Sequence, residues 1–139
     1  MTDIDFDKFN RGIIEDFRTN HGKVGGPFDG APMILITHTG AKSGKTYTTP
    51  LVYTADGDRL VIIASKGGSP ENPAWFHNLV ANPTVEVEVG DEKFTAIASV
   101  AEGEERQRLF DQQAALMPNF NEYAQRTTRL IPVVVLTRA

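Results

Sequence analysis

Apolar residues near the amino terminus recur at the spacing of one face of an α-helix. Phe6, Phe9, Ile13 and Phe17 are three or four positions apart, with charged residues between them. This period predicts one amphipathic helix from about residue 5 to residue 20. We expect its apolar side to cover the protein core. A lip over a binding cleft and a membrane-touching helix are the alternatives.

The rest of the chain carries mainly strand patterns. Residues 84–89 alternate between polar and apolar side chains, which predicts a strand with one buried and one wet face. Similar or more apolar patterns predict six strands in all, over residues 32–38, 46–55, 59–65, 84–89, 92–101 and 131–137. Pro50 donates no ladder hydrogen bond, so its strand is expected at a sheet edge or at a bulge.

Helix signals separate some of these strands. Asn72 and Pro73 suit the cap and the first position of a helix. Another helix is predicted over residues 102–116, and the run Asn119–Glu122 resembles a capping box that starts a further one. Because turns join most of the strands, the pattern favours an α+β protein, a mainly antiparallel six-stranded barrel with peripheral helices.

Composition excludes several classes of function. The 139 residues suit one domain, and the net charge of −4 argues against nucleic-acid binding, which needs a basic face. The absence of cysteine removes disulfides, thiol nucleophiles and thiolate metal sites. The three histidines show no metal-ligand spacing, so no metal is expected. Without a signal-peptide pattern or an apolar run of about 20 residues, we expect a cytoplasmic protein.

The turn at residues 40–46 is the first candidate for binding chemistry. It carries Lys42 and Lys45, and no acidic residue occurs from Gly30 to Ala55, so it forms a positive island in an acidic chain. Its glycines are too close together for a Walker A loop, and a strand pattern follows where that motif opens a helix. Backbone N–H groups of such a turn can bind a small anion. A solvated hairpin tip with ordinary lysines is the alternative.

Two further segments suggest contact with a flat ligand. Small residues end the strand at residues 59–65 and would let a ring approach the backbone closely. At the start of the next helix, Ala74 and Asn78 share one face, and the first turn offers N–H donors with partial positive charge. A flexible loop in the first segment and a core position for Trp75 in the second are the alternatives.

Several segments together resemble a known family. They are residues 40–44, 64–68, 72–79, 81–83, 117–123 and 129–135. Their order and spacing are similar to those of the deazaflavin-dependent nitroreductases, also described as coenzyme F420-dependent quinone reductases. The resemblance covers roughly residues 30–137. It implies a split β-barrel in a single domain, with residues 1–30 as an N-terminal helix and glycine-rich loop and residues 31–139 as the cofactor-binding core.

The resemblance also implies where the cofactor, coenzyme F420, is bound. Its phosphate would lie on the glycine turn near Ala41, Lys42 and Ser43. Strand residues would run along the cofactor, and the start of the following helix would border its ring. These implied contacts are Tyr47, Thr48, Thr49, Pro50, Leu51, Val52, Ile63, Ala64, Ser65, Lys66, Ala74, Trp75, Phe76, His77 and Asn78. FMN is the alternative cofactor.

Two positions depart from the family pattern. Ala41 stands where members commonly have an arginine, which removes a bidentate phosphate donor that Lys45 would have to replace. Phe120 stands where well-known members have a tyrosine near the substrate, and phenylalanine cannot donate a proton. Phe120 therefore marks the implied catalytic position, and the proton would come from water, Tyr123 or Ser65.

The function implied by the resemblance is hydride transfer from reduced F420 to a small acceptor: a quinone, an enone or a nitroaromatic compound. An FMN- or FAD-dependent split-barrel oxidoreductase and a non-catalytic deazaflavin carrier or sensor are the alternatives. No nucleic-acid partner is expected, and membrane contact would be peripheral at most. The protein would act as a monomer or a homodimer.

Overall fold

The computed structural model describes residues 6–24, 32–65, 72–127 and 130–139. Within these ranges the chain forms four helices and seven strands. The helices are α1 Phe6–Thr19, α2 Ala74–Ala81, α3 Gly103–Leu116 and α4 Asn119–Gln125. The strands are β1 Met33–Thr39, β2 Thr46–Val52, β3 Thr54–Asp56, β4 Arg59–Ile63, β5 Thr84–Val89, β6 Glu92–Val100 and β7 Val133–Arg138. None of the described helices is long and apolar enough to cross a membrane.

All seven strands belong to one antiparallel sheet in the order β2-β1-β5-β6-β7-β4-β3. Strands β2 and β3 form its opposite edges, yet Tyr53 alone separates them in the chain. In a flat sheet, six gaps of about 4.8 Å would put the edges about 29 Å apart, whereas one residue spans about 3.3 Å. The sheet must therefore curl until the end of β2 lies next to the start of β3. This curled, half-barrel sheet confirms the prediction of a mainly antiparallel barrel fold with peripheral helices.

The segment at residues 46–55 differs from the prediction because it forms two strands. Up to Val52 it pairs with β1, and the Tyr53 N–H still donates to the Pro32 carbonyl at 3.1 Å. From Thr54 onward it pairs with β4 instead. The change of partner raises the strand number from the predicted six to seven. Pro50 lies on the edge strand β2, as expected of a residue with no N–H to donate.

The sheet buries apolar side chains on both of its faces. On the inner face, Ile36, Val87 and Leu136 from three strands pack together with Trp75 and Leu79 of α2. Successive residues of β4 and β7 point to opposite faces, and their outward members pack against α3 and α4. Both strands are therefore covered on two sides, which explains their continuous apolar sequence.

Helix α1 covers the outer face of β1. Ile13 and Phe17 are buried and pack with Met33 and Leu35 in a third apolar cluster that also contains Val24. This confirms the covering role predicted for the helical stripe at these two positions. The side chains of the other two members of the stripe lie outside the described part.

Two predicted helix starts are wrong in detail. Pro73, not Asn72, is the N-cap of α2, with an extended backbone and no side-chain cap bond. Pro118 is the N-cap of α4 and already has helical backbone angles, so Asn119 is the first helical residue and the predicted capping box is absent. In both places a proline fixes the backbone angle φ one residue away from the expected cap.

The end of α1 approaches the turn between β5 and β6 very closely. Gly22 has a backbone angle φ of +92°, and a Cβ atom on it would lie 2.6 Å from the Cα of Gly90. Two side-chain pairs flank this contact: Arg18 with Glu88 at 2.8 Å and His21 with Asp91 at 2.6 Å. The absence of a side chain at Gly22 lets the helix end dock on the hairpin.

Two glycine-to-alanine changes should therefore shift stability in opposite directions. Gly22→Ala combines a positive φ with a clash against backbone and should lower the free energy of unfolding by about 2 kcal/mol or more. Gly12→Ala lies inside α1, where a Cβ meets nothing within 4 Å, and should raise it by about 0.5–1 kcal/mol. Denaturant unfolding of both variants measures this, and equal effects would contradict the close approach.

Candidate functional site

A cavity in the described structure has a volume of about 1290 Å³. It lies beside the edge strand β2 and is bounded by α1, the start of α2, the turn between β1 and β2 and the junction of α3 with α4. Its lining residues are Ile13, Met33, His38, Gly40, Ala41, Lys42, Ser43, Tyr47, Thr49, Pro50, Leu51, Val52, Ile63, Ser65, Pro73, Ala74, Trp75, His77, Asn78, Met117, Phe120 and Tyr123.

The turn at residues 40–45 supplies hydrogen-bond donors at one end of the cavity. Hydrogen bonds within the protein use the N–H groups of Gly40, Ala41, Gly44 and Lys45. The neighbouring N–H groups of Lys42 and Ser43 make none among the described residues. Together with the exposed Lys42 side chain, these two adjacent donors suit a bound anion. Lys42 lines the cavity and Lys45 does not, so the expected replacement of a missing arginine by Lys45 has no support here.

The shape of this turn depends on Gly40. A Cβ atom there would lie 2.5 Å from the Ser43 hydroxyl oxygen and 3.1 Å from the Tyr47 ring. The Ser43 hydroxyl oxygen lies 3.2 Å from that of Tyr47 and accepts the Lys45 N–H at 3.2 Å. The Ser43 and Tyr47 side chains therefore pack against Gly40, where there is no room for a side chain.

A buried histidine of β1, His38, lines the cavity next to β2. The Nε2 atom of His38 is 2.9 Å from the Thr49 hydroxyl, and its Nδ1 atom is 3.0 Å from the Asn78 amide nitrogen. The Tyr47 ring stacks on the imidazole, with the ring centres 6.0 Å apart. Burial lowers the pKa of His38 to about 4, so the ring is neutral at physiological pH.

The opposite end of the cavity is apolar. Ile13 of α1 and Met33 of β1 face Met117 and Phe120 from the junction of α3 with α4. The rings of Phe120 and Tyr123 meet edge to face, with centres 5.4 Å apart. Phe120 is buried and Tyr123 is half-buried, so Tyr123 carries the phenol hydroxyl at this end.

Most of the residues implied by the resemblance line this one cavity. All three implied catalytic residues, Phe120, Tyr123 and Ser65, are among them. Three cofactor candidates lie elsewhere: the Thr48 hydroxyl bonds to that of Thr37, Ala64 is fully buried in the inner core, and Phe76 packs against that core. Lys66 lies outside the described residues, so its predicted contact stays a prediction.

The sequence interpretation missed six residues that line the cavity. They are Ile13, Met33, His38, Gly40, Pro73 and Met117. Gly40 and Pro73 lie in segments that the sequence predicts to contact a ligand, directly beside predicted contact residues. The sequence interpretation of His38 concerns only metal binding, which gives no reason to expect it at this cavity. Among the described residues, no group of three His, Asp or Glu side chains could hold a metal.

Fold and site together define a half-barrel protein whose cavity joins anion-binding donors to an apolar chamber. A comparison with protein families matches residues 9–138 to the F420H(2)-dependent quinone reductases. The chain belongs to this family. The F420H(2)-dependent quinone reductase Rv1261c of Mycobacterium tuberculosis is 44% identical over 126 residues, which cover 88% of this chain and 85% of the relative.

Solved structures agree with this assignment. An F420-H2-dependent reductase, FDR-A, is 42% identical with a TM-score of 0.70, and the match covers 76% of this chain and 93% of that one. A chain described as a domain-swapped dimer is 36% identical with a TM-score of 0.72, over 95% and 97% of the two chains. The haem storage protein HutZ of Vibrio cholerae, at 14% identity and a TM-score of 0.62, shares the fold.

The residues present fit coenzyme F420, which combines a flat ring with an anionic tail. Lys42 and the two free N–H groups suit a phosphate, while β2 and the start of α2 provide two walls for a ring. The volume of about 1290 Å³ exceeds the usual range for one small ligand, about 300–1,000 Å³. The cavity therefore has room for a cofactor and a second molecule.

Burial of His38 predicts a pH-dependent stability. Its pKa in the folded protein is about 4, against an ordinary value of 6.5. Between these values the unfolded chain binds more protons, so the free energy of unfolding should fall as the pH decreases from 6.5 towards 4. His38→Asn should flatten this slope in denaturant unfolding measured at several pH values. His77→Asn, which alters an exposed histidine of the same cavity, should leave the slope in place; a slope that survives His38→Asn would contradict the assignment.

Proposed function

We propose that this protein is an F420-dependent quinone reductase whose cofactor and acceptor share the large cavity. The observation that carries the proposal is the division of this cavity into a cationic, donor-rich end and an apolar end. An anionic cofactor tail suits the first, and a quinone suits the second. Membership of the F420H(2)-dependent quinone reductases supports the same reaction.

The turn at residues 40–45 would hold the cofactor phosphate. The Lys42 ammonium and the N–H groups of Lys42 and Ser43 can reach one anionic group, since all of them belong to two adjacent residues. The flat ring would then extend along Thr49 and Leu51 of β2 towards Ala74 at the start of α2. Bound in its reduced form, F420 supplies a hydride to an electrophilic carbon or oxygen of the acceptor.

The acceptor would occupy the apolar end of the cavity. A quinone needs a proton besides the hydride to become a hydroquinone, and Phe120 has none to give. The Tyr123 and Ser65 hydroxyls line the same chamber and can each hold a proton next to a quinone oxygen. Burial of the apolar side chains around them excludes bulk water from the reacting atoms.

The same site chemistry extends to other acceptors. Enones and nitroaromatic compounds are flat electrophiles of suitable size and belong to this proposal as further substrates. We also propose a cytoplasmic location with peripheral membrane contact at most. Ile13 and Phe17 of α1 are buried against β1, so such a contact would not use these two side chains.

Turnover with defined cofactors tests the proposal. Under anaerobic conditions, catalytic amounts of the protein should accelerate oxidation of reduced F420 by a menaquinone analogue, followed through the returning absorbance of the oxidised cofactor. Reduced FMN should not replace F420. Tight F420 binding without turnover on any quinone, enone or nitroaromatic compound would instead make the protein a carrier, and preference for FMN would make it a flavin enzyme.

The phosphate site can be tested separately with one lysine. Lys42→Ala removes a charged hydrogen-bond donor and should weaken F420 binding about tenfold or more. Lys93→Ala is the matched control, because Lys93 is also exposed but lies on β6, opposite Glu88 of β5 and outside the cavity. Titration of both variants with oxidised F420 gives the two affinities. Equal affinities would remove Lys42 from the phosphate site.

A further inference from the structure

The Asn78 side chain connects three elements around the cavity. Its Oδ1 atom accepts the backbone N–H of Ala41 at 2.9 Å, which ties the turn to α2. Because a backbone N–H can only donate, the oxygen of the Asn78 amide must face Ala41 and its nitrogen must face the other way. This contact therefore fixes the orientation of an amide whose two ends have almost the same shape.

The orientation of Asn78 determines which nitrogen of His38 carries the proton. The Asn78 amide nitrogen can only donate, and it lies 3.0 Å from Nδ1 of His38. Nδ1 must then accept and carries no proton. The proton of the neutral ring is on Nε2, which lies 2.9 Å from the Thr49 hydroxyl oxygen and donates to it. Nearly complete burial, with 3% exposure, keeps this ring neutral.

Thr49 ends this chain of hydrogen bonds at the cavity. Its oxygen accepts the His38 proton, so its own hydrogen must point elsewhere. Among the described residues the hydroxyl has no other hydrogen-bond partner, and Thr49 lines the cavity. The hydroxyl is therefore left with a hydrogen to donate into the space next to β2.

We propose that His38 is a positioning residue that holds the Thr49 hydroxyl as a hydrogen-bond donor towards an acceptor atom of the bound deazaflavin ring. The acceptor would be a carbonyl oxygen or an unprotonated ring nitrogen. A hydroxyl without the histidine behind it could turn and accept instead. The inference rests on the proposed function for the identity of the ring, whereas the hydrogen-bond chain from Ala41 to Thr49 exists in the protein alone.

The first test uses the protein without cofactor. Nitrogen NMR of protein labelled with ¹⁵N-histidine distinguishes a protonated from an unprotonated ring nitrogen. The signals that are absent from the spectrum of His38→Gln are those of the His38 ring. We expect His38 to carry its proton on Nε2 over the neutral pH range. Should the proton reside on Nδ1, or should the ring be doubly protonated, the direction of the whole chain would be wrong.

The second test measures the affinity for oxidised F420. Thr49→Val keeps the side-chain shape but removes the donor and should weaken binding about tenfold, the effect of one lost hydrogen bond. Thr49→Ser restores the hydroxyl and should rescue most of the affinity. Thr37→Val is the matched control: it removes a hydroxyl bonded at the same 2.9 Å to another threonine, and Thr37 does not line the cavity.

Two variants of His38 whose side chains differ in length test its role. His38→Gln can place an amide N–H close to the position of Nε2 and should keep affinity within about threefold of the native protein. His38→Asn can meet Asn78 but is too short for Thr49, and should lose about tenfold. When either His38 change is combined with Thr49→Val, the double variant should bind F420 as tightly as Thr49→Val alone, because His38 acts through the Thr49 hydroxyl. Additive losses would reveal a merely structural role and overturn the proposal.

The outcomes separate the two proposals. If the native protein binds no F420 while His38 still shows the Nε2 proton, the proposed function and the ligand named here both fail, although the hydrogen-bond chain stands. If F420 binds and Thr49→Val binds it equally well, the proposed function stands and the donor role of Thr49 is overturned. Should a His38 variant fail to fold, the threonine variants and the native NMR signal still decide the question.

Discussion

Closure of the sheet through Tyr53 is the constraint on which the rest of the structure depends. Because the chain passes directly from one edge strand to the other, the end of β2 must lie next to the start of β3, and the inner face of the curled sheet encloses an apolar core. Among the described strands β2 pairs only with β1, and it forms a wall of the cavity. The same edge strand of the curled sheet therefore also forms part of the ligand cavity.

The cavity owes its two characters to different parts of the chain. Its donor-rich end comes from consecutive residues of one turn, held in place by Asn78 of α2. Its apolar end is assembled from α1, β1 and the junction of α3 with α4, which are far apart in the sequence. In the proposed function, a cofactor with an anionic tail would thereby be oriented before it reacts, with its ring towards the proposed acceptor chamber.

Much of the fold could be predicted from the sequence because local patterns determine it. The alternation in β5 and the turn that follows it at Gly90 specify a hairpin without any knowledge of the rest of the chain. The split at Tyr53 could not be predicted, since it depends on which strands lie on either side. The two displaced helix caps reflect the fixed φ of Pro73 and Pro118, which outweighed the capping preference of a neighbouring asparagine.

In the candidate site too, local sequence patterns predicted some residues, whereas others depend on contacts between distant parts of the chain. The run Tyr47–Val52 is implied as a whole by the resemblance, and of these residues only Thr48, which bonds to Thr37, does not line the cavity. His38 was missed because its partner Asn78 is 40 residues away. A lone histidine in an apolar strand gives no local sign of such a contact.

A structure of the protein crystallised with oxidised F420 tests the central claim most directly. We expect the cofactor phosphate against the Lys42 and Ser43 N–H groups, and the ring along β2 with an acceptor atom in hydrogen-bond range of the Thr49 hydroxyl. A cofactor bound outside this cavity, or one whose phosphate lies away from the turn, would contradict the account.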